Sequence, residues 1–267
     1  MSQSHHQPNI LTNHIRFSSG VIETMAPDTK FVTIVRDPYF QFISAFEYFH
    51  QIDVLNSLPR GKEGMKEFFS KPWEYYNNKG KYDGVHWGKW LTKNVNFFDL
   101  GYSNEMSDMG EINKTIEKIN KQFELVMISD YMDESLILLK NELCLETRDI
   151  LYFSINKRAY KNGKPKYDPE LARQIREWTL ADHILFERAN ETFWKKIEKF
   201  GIEKMNLELE LLEKEKKKIK EFCIANITNT GIQKYILTEN GKSSDQCKYM
   251  TLNEHDFFVH IWNIQNQ

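Results

Sequence analysis

Two segments of the chain place a short apolar run directly before an amphipathic stretch. Residues 31–35 read FVTIV and residues 123–129 read FELVMIS. Both runs have the length and the continuous apolar character of buried strands. Two strand–helix units of this kind predict an α/β fold with a parallel sheet.

The pattern after each strand predicts where the following helix begins. Pro38 suits a first helical turn and Asp37 suits its N-cap, and large apolar residues then recur at helical spacing as the expected buried face: Tyr39, Phe42, Ile43, Phe46 and Phe49. After the second strand, the acidic side chains Asp130, Asp133 and Glu134 precede an amphipathic run. Capping of that helix is the preferred interpretation for them, and paired catalytic carboxylates are the alternative.

The rest of the chain is mostly helical by pattern. It predicts helices at 63–70, 86–96 and 108–121, one or two long helices over 169–199 that end at Gly201, and a helix over 203–222 with its lysine-rich run on the outside. Residues 156–169 are polar and basic and predict a loop. The tail from residue 225 has a mixed pattern that predicts no definite structure.

Composition narrows the classes of function. The chain has 267 residues and a formal net charge of −2, which argues against a broad nucleic-acid-binding surface but leaves room for a local anion pocket. No apolar run approaches the ~18 residues that a membrane span needs, and the first residues lack the pattern of a signal peptide. The eight histidines lack metal-ligand spacing, so we expect no metal site.

The stretch IVRDP suggests a phosphate pocket. Ligands of parallel sheets bind beyond the carboxyl ends of the strands, and Arg36 is expected at such an end. A guanidinium there grips a phosphate with two parallel hydrogen bonds, and Ser44 would add a hydroxyl donor. The alternative from the residues alone is an arginine that pairs with Asp37 or a carbonyl, with Ser44 as a small residue where helices touch.

Several motifs in order resemble one known family. IVRDP followed by Ser44 is similar to the 3′-phosphate-binding motif of sulfotransferases, and NHIRF (13–17), KNVNFFDLG (93–101), the segment 123–144 and FERANETFWKKIEKFG (186–201) resemble elements of the galactose-3-O-sulfotransferases, the group that contains galactosylceramide sulfotransferase. The resemblance covers about residues 10–225, which we take as a partial sulfotransferase domain. Residues 226–267 would be a C-terminal tail.

The resemblance implies an activity and a fold. The expected fold is the P-loop-NTPase-like α/β sulfotransferase fold, with a parallel sheet, a helix-rich C-terminal half and an incomplete N-terminal side. The expected reaction moves sulfate from 3′-phosphoadenosine 5′-phosphosulfate (PAPS) to a galactose 3-hydroxyl of a glycolipid or glycan, on the lumenal side of the Golgi membrane. An anchor would lie only in an N-terminal segment that this chain lacks.

One element of the family pattern has no counterpart in the sequence. No Gly/Ser-rich loop with a lysine, the grip for the 5′-phosphosulfate, is present before NHIRF. The chain is therefore expected to be a fragment or to have lost that loop. An inactive interaction module of the same fold, or another nucleotide-dependent transferase, remain the alternative interpretations.

The matched elements also supply candidate site residues. His14 is the candidate catalytic base, with a structural histidine as the more favoured reading. Arg16 would bind an anion or pair with a carboxylate. Asn94 and Asp99 would bind sugar hydroxyls, or else cap the helix at 86–96 and the turn at Gly101.

Three further sets of residues have weaker assignments. In the loop 156–169, four basic side chains would close over the nucleotide or remain solvated: Lys157, Arg158, Lys161 and Lys164. The aromatic residues Trp73, Tyr75, Tyr76, Trp87 and Trp90 would form a sugar platform or core. The glycosylation sequons begin at Asn113, Asn190 and Asn226. In an oxidising lumen we expect Cys223 to pair with Cys247, and Cys144 to be buried at its helix end.

Overall fold

The computed structural model describes residues 10–11, 15–48, 58–77, 89–154, 167–228 and 234–265. The chain divides into two compact units that alternate along the sequence. The first contains Met1–Met132 and Tyr167–Lys196, and the second contains Asp133–Lys166 and Ile197–Gln267.

The first unit carries the parallel strands that the sequence predicts. Strand β1 (Val32–Val35) pairs with strand β2 (Leu125–Ile128), with Val32 opposite Leu125 and Val35 opposite Ile128. The helices of the first unit are α1 (Ser19–Thr24), α2 (Pro38–Tyr48), α3 (Gly61–Ser70), α4 (Pro72–Asn77), α5 (Val95–Asp99), α6 (Met109–Gln122), α8 (Pro169–Trp178) and α9 (Leu180–Phe200). Helix α9 continues past the end of this unit at Lys196.

The core of the first unit lies between α2, α3, α4 and α8. The apolar stripe predicted for α2 is buried as expected at Tyr39, Phe42, Ile43 and Phe46, while Phe49 lies outside the described residues. Around it pack Leu58, Met65, Phe68, Tyr76, Leu171, Ile175 and Trp178. Because Phe68 and Tyr76 are fully buried, the helices are fixed mainly by aromatic packing.

Strand β1 differs from the prediction of a fully buried strand. Val32 and Ile34 are 37% and 43% exposed, whereas their partners Leu125 and Met127 are buried. The prediction was wrong here because an apolar run alone does not tell an inner strand from an edge strand.

The second unit contains helices, a hairpin and a disulfide. It contains α7 (Met132–Glu142), except for its first residue, together with α10 (Ile202–Cys223), the antiparallel strands β3 (Ile224–Thr228) and β4 (Lys234–Leu237), α11 (Glu239–Ser243), α12 (Asp245–Thr251) and α13 (Glu254–Gln265). Cys223 and Cys247 form the expected disulfide, packed against Phe153. The tail that the sequence left unassigned is therefore the hairpin and three short helices.

Two local predictions were wrong. The predicted helix 86–96 is not continuous in its described part, because Asn94 has a left-handed backbone (φ 44°) between a 3-10 turn at Lys89–Thr92 and α5. Cys144 is exposed rather than buried, and it too has a positive φ, of 54°, just after α7 ends. Among the described residues, no helix has both the length and the apolar character that would let it cross a bilayer.

Candidate anion-binding site

The carboxyl edge of the parallel pair presents an arginine without a protein partner. Strand β1 ends at Val35 and Arg36 follows it directly, beside the end of β2 at Ile128. Arg36 is half-buried, and within the described part of the chain its guanidinium forms no hydrogen bond and no salt bridge. The alternative of a structural ion pair with Asp37 or a bond to a carbonyl is therefore not what the structure shows.

The start of α2 adds a helix N-terminus to this edge. The Asp37 carboxylate accepts a hydrogen bond from the Tyr39 N–H at 2.8 Å, which is the N-cap predicted from the sequence. Ser44 is half-buried and lies seven residues after Asp37, on the same face of the helix. That spacing corresponds to about 10 Å of helix rise, a distance that an arginine side chain and a bound phosphate would together have to bridge.

Two carboxylates lie beside the arginine. The Asp37 N–H donates to Asp130 Oδ2 at 3.2 Å, across the ends of the two strands. Burial raises the pKa of Asp37, and the nearby Asp130 charge raises it further, while the Tyr39 and Phe40 N–H groups and Arg36 act in the opposite direction. The edge therefore combines a cation with two acids rather than being uniformly basic.

The carboxylates after β2 have three different environments. Asp130 bonds to the Asp37 backbone, and Asp133 pairs with Lys216 at 2.8 Å and accepts from the Tyr152 hydroxyl at 2.9 Å. Asp133 thus joins elements within the second unit. Glu134 lies in the first turn of α7, where its charge favours the helix dipole.

Arg16 joins two sequence motifs that are about 80 residues apart. Its Nε donates to the Phe98 carbonyl at 2.8 Å and its Nη2 donates to the Tyr102 carbonyl at 2.9 Å. The guanidinium also lies 4.3 Å from the centroid of the Phe98 ring. Arg16 therefore binds backbone carbonyls and an aromatic face, and it pairs with no carboxylate among the described residues.

A glycine makes this close approach possible. The Phe17 N–H donates to the Asp99 carbonyl at 2.7 Å, which brings the Phe17 carbonyl against Gly101. Gly101 has φ of 94°, and a Cβ added there would overlap the Phe17 carbonyl oxygen. The described residues 15–17 of the first motif and the segment 93–101, noticed separately in the sequence, are thus in contact, and Gly101 is required by both its φ and its contact.

A buried polar centre surrounds Asn94. The Asn94 side chain donates to the Asn104 carbonyl at 2.8 Å and accepts from the Asp182 N–H at 3.2 Å. Asp182 is 2% exposed and accepts from the N–H groups of Asn96 and Phe97, both at 3.0 Å. Because Asp182 caps α5 from another helix, Asn94 and Asp182 hold α5 and α9 together.

A buried lysine lies next to this centre. Lys93 donates from Nζ to the Trp178 carbonyl at 2.8 Å and lies over the rings of Trp178 and Trp73, 3.9 and 4.9 Å from their centroids. Burial lowers the pKa of Lys93 to about 8, and burial raises the pKa of Asp182 to about 7. Sequence reasoning missed both residues, although a single aspartate in the apolar run 180–186 was a detectable signal.

Some of the remaining candidates lie outside the described residues and the others lie inside them. His14, Trp87 and the loop lysines and arginine (Lys157, Arg158, Lys161 and Lys164) lie outside the described residues, so their roles stay predictions. Asp99 is exposed, Asn113 is exposed on α6 and Asn226 is exposed on β3. Asn190 is half-buried in α9, and its buried Oδ1 has no hydrogen-bond partner. Tyr76 belongs to the core, while Trp73 is 50% exposed.

Comparison with known proteins identifies the family. A family model described as galactose-3-O-sulfotransferase matches residues 1–238. The chain belongs to the galactose-3-O-sulfotransferase family. Within this family it is 34% identical to bovine galactosylceramide sulfotransferase over 218 residues, covering 81% of this chain and 50% of the relative. The human galactosylceramide sulfotransferase gives the same identity and coverage.

A second member aligns over more of its length. Galactose-3-O-sulfotransferase 2 of mouse is 27% identical over 283 aligned positions, covering 97% of this chain and 70% of the relative. The chain spans about half the length of the galactosylceramide sulfotransferases that it matches. No solved structure matches this chain, so the fold is argued from the strands and helices themselves.

Proposed function

We propose that this chain is a galactose-3-O-sulfotransferase that moves sulfate from PAPS to a galactose 3-hydroxyl of a glycolipid or glycan. The family membership supports the reaction class, and relatives named for galactosylceramide and for galactose support the acceptor class. We also propose that the β1–β2 pair is part of the P-loop-like sulfotransferase fold.

The observation that carries the proposal is the unpaired guanidinium at the carboxyl edge of the sheet. A buried or half-buried arginine normally has a carboxylate or carbonyl partner, and Arg36 has none among the described residues. An anion supplied by a ligand would satisfy it, and a phosphate matches the fork of the guanidinium with two parallel bonds. We propose that Arg36, together with the Ser44 hydroxyl, binds the 3′-phosphate of the donor.

Calorimetric titration with adenosine 3′,5′-bisphosphate and with adenosine 5′-monophosphate tests this assignment. Arg36→Ala removes a hydrogen bond to a charged group worth about 1.5–3 kcal/mol, so affinity for the bisphosphate should fall about 10- to 150-fold. Affinity for the monophosphate should hardly change, because it lacks the 3′-phosphate. Arg173→Ala is the matched control, since Arg173 is exposed and pairs with Glu170 and Glu177 on the surface of α8.

The same titrations separate the alternatives. Equal loss of affinity for both nucleotides would mean that Arg36 acts through the fold and not on the 3′-phosphate. Tighter binding of ATP than of the bisphosphate would favour another nucleotide-dependent transferase. Absence of binding to any nucleotide, by a chain that is folded, would favour the interaction module.

The acceptor residues remain part of the proposal. Asp99 lies at the exposed end of α5, and both side-chain groups of Asn94 have protein partners. We keep Asn94 and Asp99 as acceptor candidates and His14 as the candidate base. Transfer of labelled sulfate from PAPS to galactosylceramide, lost in Asp99→Ala and in His14→Ala without a change in bisphosphate affinity, would support these two roles.

A lumenal location is supported by the disulfide. Disulfides persist in oxidising compartments such as the secretory lumen, and Cys223–Cys247 lies in the core of the second unit. We propose that the chain works on the lumenal side of the Golgi membrane. If so, expression in a secretory system should give glycans at the exposed sequons of Asn113 and Asn226. Absence of any glycosidase-sensitive shift in the unaltered chain would contradict this.

A further inference from the structure

The carboxyl edge of the sheet contains a bond that the proposed donor site does not yet explain. The regular pairing of β1 with β2 ends at Val35 and Ile128. Two residues beyond each strand, the Asp37 N–H donates to Asp130 Oδ2 at 3.2 Å. The same oxygen lies 3.5 Å from Ser129 Oγ. A side chain thus continues the hydrogen bonding between the strands after the backbone ladder has ended.

This bond acts on the peptide that follows Arg36. The Asp37 N–H belongs to the peptide unit that also contains the Arg36 carbonyl, so fixing this N–H fixes the orientation of the backbone on the carboxyl side of Arg36. On the other side, Val35 is held in the strand and is 2% exposed. The Asp37 carboxylate is bound to the Tyr39 N–H, so it does not replace Asp130 in this role.

We infer that Asp130 is a positioning residue for Arg36, because its carboxylate holds the Arg36–Asp37 peptide across the strand ends and thereby aims the guanidinium at the bound anion. This inference rests on the proposed function for the identity of the anion. Asp130 would act through its oxygen, which accepts the Asp37 N–H, and not through its charge, because a negative charge so close to a bound phosphate opposes binding.

Two substitutions of Asp130 separate the acceptor from the charge. Asp130→Asn keeps a side-chain oxygen that accepts the Asp37 N–H but removes the charge, whereas Asp130→Ala removes both. We expect Asp130→Ala to weaken binding of adenosine 3′,5′-bisphosphate about tenfold, the value of one hydrogen bond to a charged group. Asp130→Asn should bind at least as tightly as the unaltered chain. Neither change should alter affinity for adenosine 5′-monophosphate.

The order of the two variants decides the inference. A purely electrostatic role would not give loss in Asp130→Ala together with retention in Asp130→Asn, and a general structural role would weaken binding of the monophosphate as well. Equal weakening in both variants, or tighter binding in both, would overturn the positioning role. Arg36→Ala removes the guanidinium itself, so its result tests the proposed function. The two Asp130 variants keep the guanidinium, so their results test the present inference.

Amide hydrogen exchange gives a second test that needs no ligand. The Asp37 amide should be protected in the unaltered chain and in Asp130→Asn, and its exchange should be about tenfold faster in Asp130→Ala. Unchanged exchange of this amide in Asp130→Ala would overturn the inference even if no nucleotide binds. The Gln41 amide, which donates to the Asp37 carbonyl at 2.9 Å within α2, serves as the internal reference.

Discussion

Gly101→Ala should break the contact of Arg16 and Phe17 with the segment 93–101. The new Cβ would overlap the Phe17 carbonyl oxygen, which is backbone and so has no rotamer to move into, and it would also require an alanine at φ of 94°. The positive φ costs about 1–2 kcal/mol. Loss of the Phe17 N–H bond to Asp99 and of the bonds made by Arg16 adds about 1–3 kcal/mol.

The expected loss of stability is therefore about 2–5 kcal/mol. For a chain of 267 residues this lowers the melting temperature by roughly 4–15 °C in differential scanning calorimetry. The matched control is Gly110→Ala in α6, where the nearest atom to a new Cβ is the side-chain oxygen Oδ1 of Asp108 at 3.2 Å, which needs to shift by only a few tenths of an ångström and is not backbone. Because alanine favours helix, this variant should melt at the same temperature or slightly higher.

Hydrogen exchange identifies the cause of the change. The Phe17 amide should lose protection in Gly101→Ala and keep it in Gly110→Ala. The reasoning fails if Gly101→Ala melts like the unaltered chain, or if it melts earlier while the Phe17 amide remains protected. In either case the two segments would not be held together by the contact that the structure shows.

Two further predictions concern the interior of each unit. Burial raises the folded-state pKa of Asp182 to about 7, so this group makes the free energy of unfolding fall as pH rises from about 4 to 7. Asp182→Asn should therefore reduce the slope of stability against pH over this range, as measured by urea denaturation at each pH. An unchanged slope would contradict the prediction. Reduction of Cys223–Cys247, 24 residues apart, should cost about 3 kcal/mol, and thiol titration of the native chain should detect only Cys144. Three reactive thiols before reduction would refute this.

The periodicity of apolar residues and the order of the motifs predicted much of the architecture. The apolar runs predicted both strands and their parallel direction, and the spacing after Arg36 predicted α2 with its N-cap at Asp37 and its buried face. The long helices near 169–199 and 203–222 also appear, since repeated apolar spacing over several turns is difficult to satisfy in any other structure.

The sequence pattern did not predict the interruption of a helix. The helix predicted at 86–96 is interrupted at Asn94, whose left-handed backbone is stabilised by its bonds to Asn104 and Asp182. Asp182 is 88 residues away, so no local window includes that partner. For the same reason the sequence did not predict the bonds of Arg16 to the Phe98 and Tyr102 carbonyls or the bond of Asp130 to the Asp37 N–H.

The sequence by itself determined the two parallel strands, the long helices, the family of the chain and the arginine at a strand end, because these depend on local spacing and on ordered motifs. Only the tertiary structure decided that Arg36 has no hydrogen bond or salt bridge to the described residues, that Asp130 accepts from the Asp37 N–H and that Gly101 lies against Phe17. The physical reason is that hydrogen bonds and steric contacts act over about 3–4 Å in space and are indifferent to separation along the chain.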